Sequence, residues 1–205
     1  MRDAKWIRVA PVIAAGLLAA MWLVPAGVRA QAPAPSASGQ APAVAPGLKP
    51  EVIRTIEAAE NHIMALAEKF PAEKYSWHPE GARSTAEVFM HIAGGNYGYA
   101  NAMGTPRPEG VTNDALSKIT DKAQIIEALK KSFAHLKMAV ENVSDPDKTV
   151  KLRGRDFTMR ELMLTAAAHD HEHLGQLIAY ARVNGIVPPW SEEQARPAPP
   201  SKPGE

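Results

Sequence analysis

The stretch HDHEHLGQLIAYARVNGIVPP, His169 to Pro189, sets two histidines four residues apart inside a segment with helical apolar periodicity. Four residues is about one helical turn, so both imidazoles leave the same face and could close on one metal ion. The helix stops at Asn184 and Gly185, which are followed by Pro188 and Pro189. Its start carries the strongest initiation signal in the chain. Thr158 and Glu161 form a capping box, and Phe157 and Leu162 occupy the two positions of a hydrophobic staple.

Three further helices follow from the same periodicity. From Glu51 to Phe70 the apolar residues Val52, Ile56, Ala59, Ile63, Leu66 and Phe70 alternate in steps of three and four. A second helix opens at Ser84 with Glu87 three places on and runs to Gly104, with Val88, Ile92, Tyr99 and Ala102 on one side. Its interior holds Gly94, Gly95 and Gly98, each costing about 1 kcal/mol of helix stability relative to Ala. Such a cost points to close helix approach or a cavity. The third helix runs from about Asp121 to Val143, with Ile126, Leu129, Phe133, Leu136, Val140 and Val143 on its stripe, and stops before the turn-forming SDPD. No segment sustains period-two alternation, although Thr149 to Leu152 (TVKL) could form a short extended piece. The chain is therefore read as all-α, a four-helix bundle with longer connections after its second and third helices.

Outside this core the composition changes. Arg2, Lys5 and Arg8 precede an uncharged apolar run from Val9 to Val24, followed by Val28, Arg29 and Ala30, the pattern of a secretory signal peptide. The run is short for a membrane span of about twenty residues. We expect cleavage near Ala30 and a periplasmic or extracellular protein, the alternative being an uncleaved N-terminal anchor and membrane attachment through that segment alone. Residues 31–48 are Ala, Pro and Ser with hardly any large apolar side chain, and read as a disordered linker. Residues 191–205 read as a disordered tail. Residues 49–190 have the size of one domain with one core.

Removing residues 1–30 deletes Arg2, Lys5, Arg8 and Arg29 against Asp3 and takes the formal charge from +1 to −2. No basic stripe remains to neutralise phosphates, which argues against nucleic acid as a partner. The chain has no cysteine, so it offers no disulfide, thiolate nucleophile or thiolate ligand. Any metal must be held by His, Asp or Glu.

Helical phase sorts the seven histidines. At about 100° per residue, Leu162, Ala166, His169, His173, Gln176 and Tyr180 fall within a sector of roughly 80°, while His171 points about 180° away, to solvent. On the second helix His91 shares the phase of Val88, Ile92, Gly95 and Tyr99. Two helices thus offer three imidazoles to one interior. They are either buried neutral histidines, each with its own hydrogen-bond partner, or ligands of one metal, which would meet the needs of all three at once. Of the others, His62 lies at the border of the first stripe, His135 on the outer face of the third helix, and His78 in the loop YSWHPEG, where Trp77 is expected to plug one bundle end.

The segments KFPAEKYSWHPEGARSTAEVFMHIAGGN and HDHEHLGQLIAYARVNGIVPP resemble the DinB-like superfamily of metal-binding four-helix bundles, over about residues 50–190. The resemblance implies a divalent metal held by one histidine of the second helix and an HxxxH pair of the fourth, which are His91, His169 and His173 here. One departure is visible: Glu172 stands where many relatives carry a second, adjacent histidine, and any role of that histidine does not carry over. The implied cofactor is one divalent transition metal, zinc or nickel before iron or manganese. A three-histidine site leaves an open coordination position, as catalytic sites do.

The resemblance further implies a metal-dependent hydrolase or a transferase using a low-molecular-weight thiol, as in relatives that use bacillithiol or mycothiol, with a small-molecule substrate. Export favours hydrolysis, because such thiols are mainly cytoplasmic reductants. No catalytic residue is assigned beyond the metal site. Gln176, Tyr180, Tyr99 and Glu87 are pocket candidates by phase, against core packing for the tyrosines and helix capping for Glu87. Asp170 and Glu172 flank the inward stripe, as compatible with solvation as with catalysis. The competing class is a noncatalytic metal-binding or interaction protein of the cell envelope, which could be a homodimer.

Overall fold

The computed structural model describes residues 47–191. The expected signal peptide, the expected linker up to residue 46 and the expected tail beyond Ser191 lie outside the described residues. The chain folds as α1 (Leu48–Lys69), a 3₁₀ turn (Ala72–Lys74), α2 (Thr85–Ala102), a short α3 (Asn113–Ser117), α4 (Lys122–Asn142), strands β1 (Thr149–Leu152) and β2 (Arg155–Thr158), and α5 (Met159–Val183). The four long helices are the four read from the sequence, and they form the bundle. Among the described residues no helix is long and apolar enough to cross a membrane.

The long helices pack as a ring in which α1 touches α4 and α5, and α2 touches α4 and α5. Helices consecutive in sequence, α1 with α2 and α4 with α5, therefore sit across the diagonals. This arrangement brings the second-helix histidine beside the fourth-helix pair. Residues 70–84 and 143–158 each cross an end of the bundle, whereas residues 103–121 run back along it, because α2 and α4 lie side by side and parallel, with Asn96 Nδ2 donating to Ser132 Oγ.

The predicted stripes are the core. Val52, Ile56, Ala59, Ile63, Leu66 and Phe70 of the first stripe are all buried, and Leu129, Phe133, Leu136 and Val140 of α4 are fully so. Positions on two helices differ: on α2, Tyr97 is buried while Tyr99 and Ala102 are half-buried. Ile125 rather than Ile126 begins the α4 stripe, and Ile126 is half-buried at its edge. Helix α1 begins at Leu48, before the expected Glu51, with Pro50 in its first turn, where the missing N–H has no intrahelical partner to lose. Two lysines tie α1 to α4 in antiparallel register. Lys49 Nζ donates to the carbonyls of Glu141 and Val143 at the end of α4, and Lys122 Nζ donates to those of Glu68 and Phe70 at the end of α1. Each long-range cap supplies acceptors that the helix end leaves unpaired with a cation that its dipole favours.

Both capping boxes form, Ser84 with Glu87 and Thr158 with Glu161. Asn184 and Gly185, the latter at φ 72°, end α5 as expected, with Ile186 N–H donating to Ala181 C=O. The sequence underestimates one element. TVKL is not an isolated extended piece but pairs with Arg155–Thr158 as an antiparallel hairpin, Leu152 opposite Arg155 and Thr149 opposite Thr158. Its two-residue turn, Arg153-Gly154, has positive φ at both positions, 50° and 79°, as a type I′ turn requires.

Candidate metal centre and its cavity

Helices α2 and α5 run antiparallel, Arg83 meeting Tyr180 at one end and Gly95 meeting His169 further along. Between these points the three inward histidines converge. His91, His169 and His173 each offer a ring nitrogen within 4.8 Å of the others, and their ring centroids lie 4.6 to 5.1 Å apart. His169 Nε2 and His91 Nε2 are 3.3 Å apart. Two imidazole nitrogens sharing one divalent ion at about 2.0–2.1 Å with a tetrahedral angle lie about 3.3 Å apart, so the spacing fits a metal-binding pair.

The protonation pattern fits as well. Burial, then the neighbouring His173 and Arg83, pushes His91 down to about 4, and burial also lowers His173. Both rings are therefore neutral near neutral pH and keep a lone pair. For His173 the tautomer follows from its partner. Gln176 Oε1 can only accept, so the Nδ1–H of His173 donates to it at 2.9 Å and Nε2 keeps the lone pair. Gln176 in turn donates through Nε2 to Tyr180 Oη (2.9 Å), and Tyr180 donates to the carbonyl of Arg83 (3.0 Å). The ring of His173 is thus anchored through two side chains to the start of α2. Trp77, edge-on to Tyr180 with ring centroids at 5.2 Å, packs over this end of the bundle as expected.

Behind His169 lies a residue that helical phase placed at the border of the stripe. Asp170 is not a flanking, solvated side chain but fully buried, and neither carboxylate oxygen has a hydrogen-bond partner. Its Oδ1 lies 3.9 Å from His169 Nδ1, itself buried and unpartnered. Burial raises the Asp170 pKa. The carboxylate thus lies on the outward side of a candidate ligand histidine, where a carboxylate within hydrogen-bond distance fixes a metal-binding imidazole, but at 3.9 Å the two groups are not bonded.

The glycines of α2 explain how the ring of His169 fits. A Cβ at Gly95 would overlap it, with ring nitrogens at 3.0 Å. A Cβ at Gly94 would press on Asn113 Oδ1 at 3.2 Å, and one at Gly98 would reach Arg107 Nη2 at 3.5 Å. Both predicted causes of the glycine cluster are therefore present, close approach of a side chain at Gly95 and an open cavity along the same face.

That cavity, of about 360 Å³, is lined by His91 and His169, by Gly94, Gly95 and Gly98, and by Tyr99 and Glu87. A volume of this size suits a small molecule. Arg83, Arg107 and Arg153 also face it, and sequence reasoning singled out none of the three. Arg107 is held by bonds from Nη1 to Asn113 Oδ1 (2.9 Å) and from Nη2 to the Gly94 carbonyl (3.1 Å). Arg153 projects from the hairpin turn, where its left-handed backbone costs about 1–2 kcal/mol. The only advance signal for it was the Arg-Gly pair between two short polar-apolar runs.

The pocket candidates divide. Tyr99 lines the cavity edge-on to His169, with ring centroids at 5.6 Å. Glu87 lines its wall but is committed to capping, accepting from Ser84 N–H at 2.6 Å, and that bond lowers its pKa. Gln176 and Tyr180 form the anchoring chain behind His173. His171 is exposed, as phase predicts. His62 stacks on Trp190, with ring centroids at 4.1 Å. His135 is not on an outer face. It is half-buried beside Tyr97, and its Nε2 is buried without a partner, because α2 leans over that side of α4.

A helical bundle whose α2 and α5 bring one histidine and an HxxxH pair together at a cavity defines a class of candidate metal-binding helical proteins. The DinB superfamily profile matches residues 55–177, and the chain belongs to that superfamily. No curated protein matches the chain. Among solved structures it is similar to a DinB-like protein from Bacillus cereus ATCC 10987, at 15% identity and TM-score 0.59, covering 67% of this chain and 93% of that one. YfiT from Bacillus subtilis, described as a probable metal-dependent hydrolase with an unusual four-helix bundle topology, aligns at 14% identity and TM-score 0.54, covering 68% and 89%. The mycothiol-dependent maleylpyruvate isomerase aligns at 17% identity and TM-score 0.54, covering 64% of this chain and 61% of the isomerase. At these identities the likeness concerns the fold.

Proposed function

We propose that this chain is a divalent-metal-dependent enzyme acting on a small molecule, a hydrolase in the first instance and a thiol-dependent transferase in the second, exported after cleavage near Ala30. The observation that carries the reading is the meeting of His91, His169 and His173 within 4.8 Å, with two of them forming part of a cavity wall. A divalent ion there would supply Lewis acidity, polarising a substrate oxygen or lowering the pKa of a bound water or thiol. Zinc and nickel suit such a nitrogen-rich donor set, with iron and manganese as alternatives.

The remaining roles belong to the chain's own residues. Gln176 and Tyr180 hold His173 in the tautomer that leaves Nε2 free, and Asp170 stands behind His169. Gly94, Gly95 and Gly98 keep the α2 wall open beside the imidazoles. Tyr99, whose pKa burial raises, presents a neutral phenol to the cavity that can donate a hydrogen bond to a substrate oxygen. The chain contains no cysteine, so a thiol nucleophile would come from a cosubstrate.

The test is turnover by the metal-loaded full chain of two panels, carboxylic esters and amides on one side and low-molecular-weight thiols with an electrophile on the other. Hydrolysis in the first panel, abolished by chelation and by His91→Ala, is the expected result. Turnover confined to the second panel would assign the transferase. Inactivity in both, with chelation unfolding the bundle, would overturn the enzyme reading in favour of a noncatalytic metal-binding protein.

A further inference from the structure

The charge of the cavity wall narrows the substrate. Its charged side chains are Arg83, Arg107, Arg153 and Glu87, and the Glu87 carboxylate is occupied by the Ser84 backbone N–H. Elsewhere on the surface several cations are paired with carboxylates. Lys118 pairs with Asp114, Lys137 with Glu60 and Glu57, Lys151 with Asp156, and Arg160 with Asp147. Among the described residues, Arg83 and Arg153 have no carboxylate within ion-pair distance. Two unmatched guanidinium groups at one cavity, with a third pinned in its wall, form a concentrated positive field beside a low-dielectric floor.

Arg153 adds an independent observation. The first position of its turn needs positive φ, which Asn, Asp or Gly adopts with least strain, yet an arginine stands there at φ 50°. Backbone strain retained at a cavity rim points towards function when the strained residue carries the chemistry, and here it carries a planar five-donor cation. All three cavity cations are arginine rather than lysine, the side chain that grips a carboxylate or phosphate through two parallel hydrogen bonds.

We propose that the cavity takes a substrate bearing an anionic group, a carboxylate or phosphate, which docks against Arg83 and Arg153 while the rest of the molecule lies along the glycine face towards His91 and His169. Arg107 stiffens that face from the loop after α2. This specificity rests on the reading of the cavity as the substrate site, but it does not require the metal.

The experiment measures binding of succinate, its uncharged analogue succinamide, and inorganic phosphate to the full chain at fixed ionic strength, by calorimetry, in metal-free and metal-loaded preparations whose metal content is determined alongside. The variants are Arg153→Asn, which suits the left-handed turn without the charge, Arg83→Gln, and Arg155→Gln as a control on the same hairpin. In the metal-free chain one of the two anions should bind at least about tenfold more tightly than succinamide, with the tighter one naming the group. Arg153→Asn and Arg83→Gln should each weaken it several-fold, and Arg155→Gln should not. Equal binding of succinate, phosphate and succinamide, or a preference indifferent to both arginine changes, would overturn the proposal. Arginine-dependent anion binding without any retained metal would leave this inference standing and remove the metal reading. A retained metal without anion preference would do the reverse.

Discussion

The α1–α4 side and the α2–α5 side of this bundle are built by opposite rules. On the first side the inward positions are almost all Ile, Leu, Phe, Val and Ala, fully buried, and each helix caps the other's end with a lysine. On the second side three glycines sit inside a helix, three imidazoles face one another, and a carboxylate lies buried without a partner. Local propensity, pattern and polar satisfaction agree on one side and conflict on the other. Such conflict concentrates where a protein gives up stability for chemistry. The regular half is the frame, and the irregular half is the site that the frame keeps in place.

The largest effect that would sharpen this contrast comes from truncating the frame. Phe133→Ala removes a fully buried ring from α4 and should destabilise the fold by about 3–5 kcal/mol in urea unfolding, while metal content per folded chain stays unchanged. If metal were lost with the fold largely intact, the division into frame and site would be wrong.

A glycine pair breaks the comparison from the other side. Gly95→Ala puts a methyl group into the His169 ring and should reduce metal affinity by tenfold or more, about the loss expected when a ligand's support is disturbed. Gly175→Ala, on α5 where a Cβ meets nothing within 4 Å, should instead raise stability by up to about 1 kcal/mol and leave metal binding alone. Equal behaviour of the two variants would mean that the glycines of α2 serve only packing.

A smaller effect appears in the pH dependence of the metal-free chain. His91 titrates near 6.5 when unfolded and about 4 in the fold, so between those values the unfolded state binds more protons and stability falls as pH falls. His173 contributes in the same direction, and the raised pKa of Asp170 opposes it. In His91→Ala the slope of stability against pH across that window should be shallower than in the unmodified chain. An identical slope would remove His91 from the buried, neutral cluster.

What could be read from the sequence divides along the same line. The frame was legible because an apolar stripe marks the face a helix buries, and its errors fell on α4, where Ile126 was taken for Ile125, about 100° away, and His135 was placed on the outer face. The histidine cluster was legible because phase and spacing bring His91, His169 and His173 to one interior. Its supports were not. Asp170 sits one residue from His169, about 100° round the helix, and a wheel cannot tell a border facing solvent from a border covered by α1. Arg83, Arg107 and Arg153 come from a cap, a loop and a turn, whose placement depends on the diagonal topology rather than on any local period. The hairpin escaped because Arg-Gly is a weak turn signal beside Asn-Gly.

The most direct test is metal content, by elemental mass spectrometry, of the chain purified without a His-tag, beside His91→Ala and His169→Ala. The account predicts close to one divalent metal per chain, lost in both variants while the helical circular dichroism persists. No metal in the unmodified chain after reloading with zinc, nickel, manganese and anaerobic iron would contradict it.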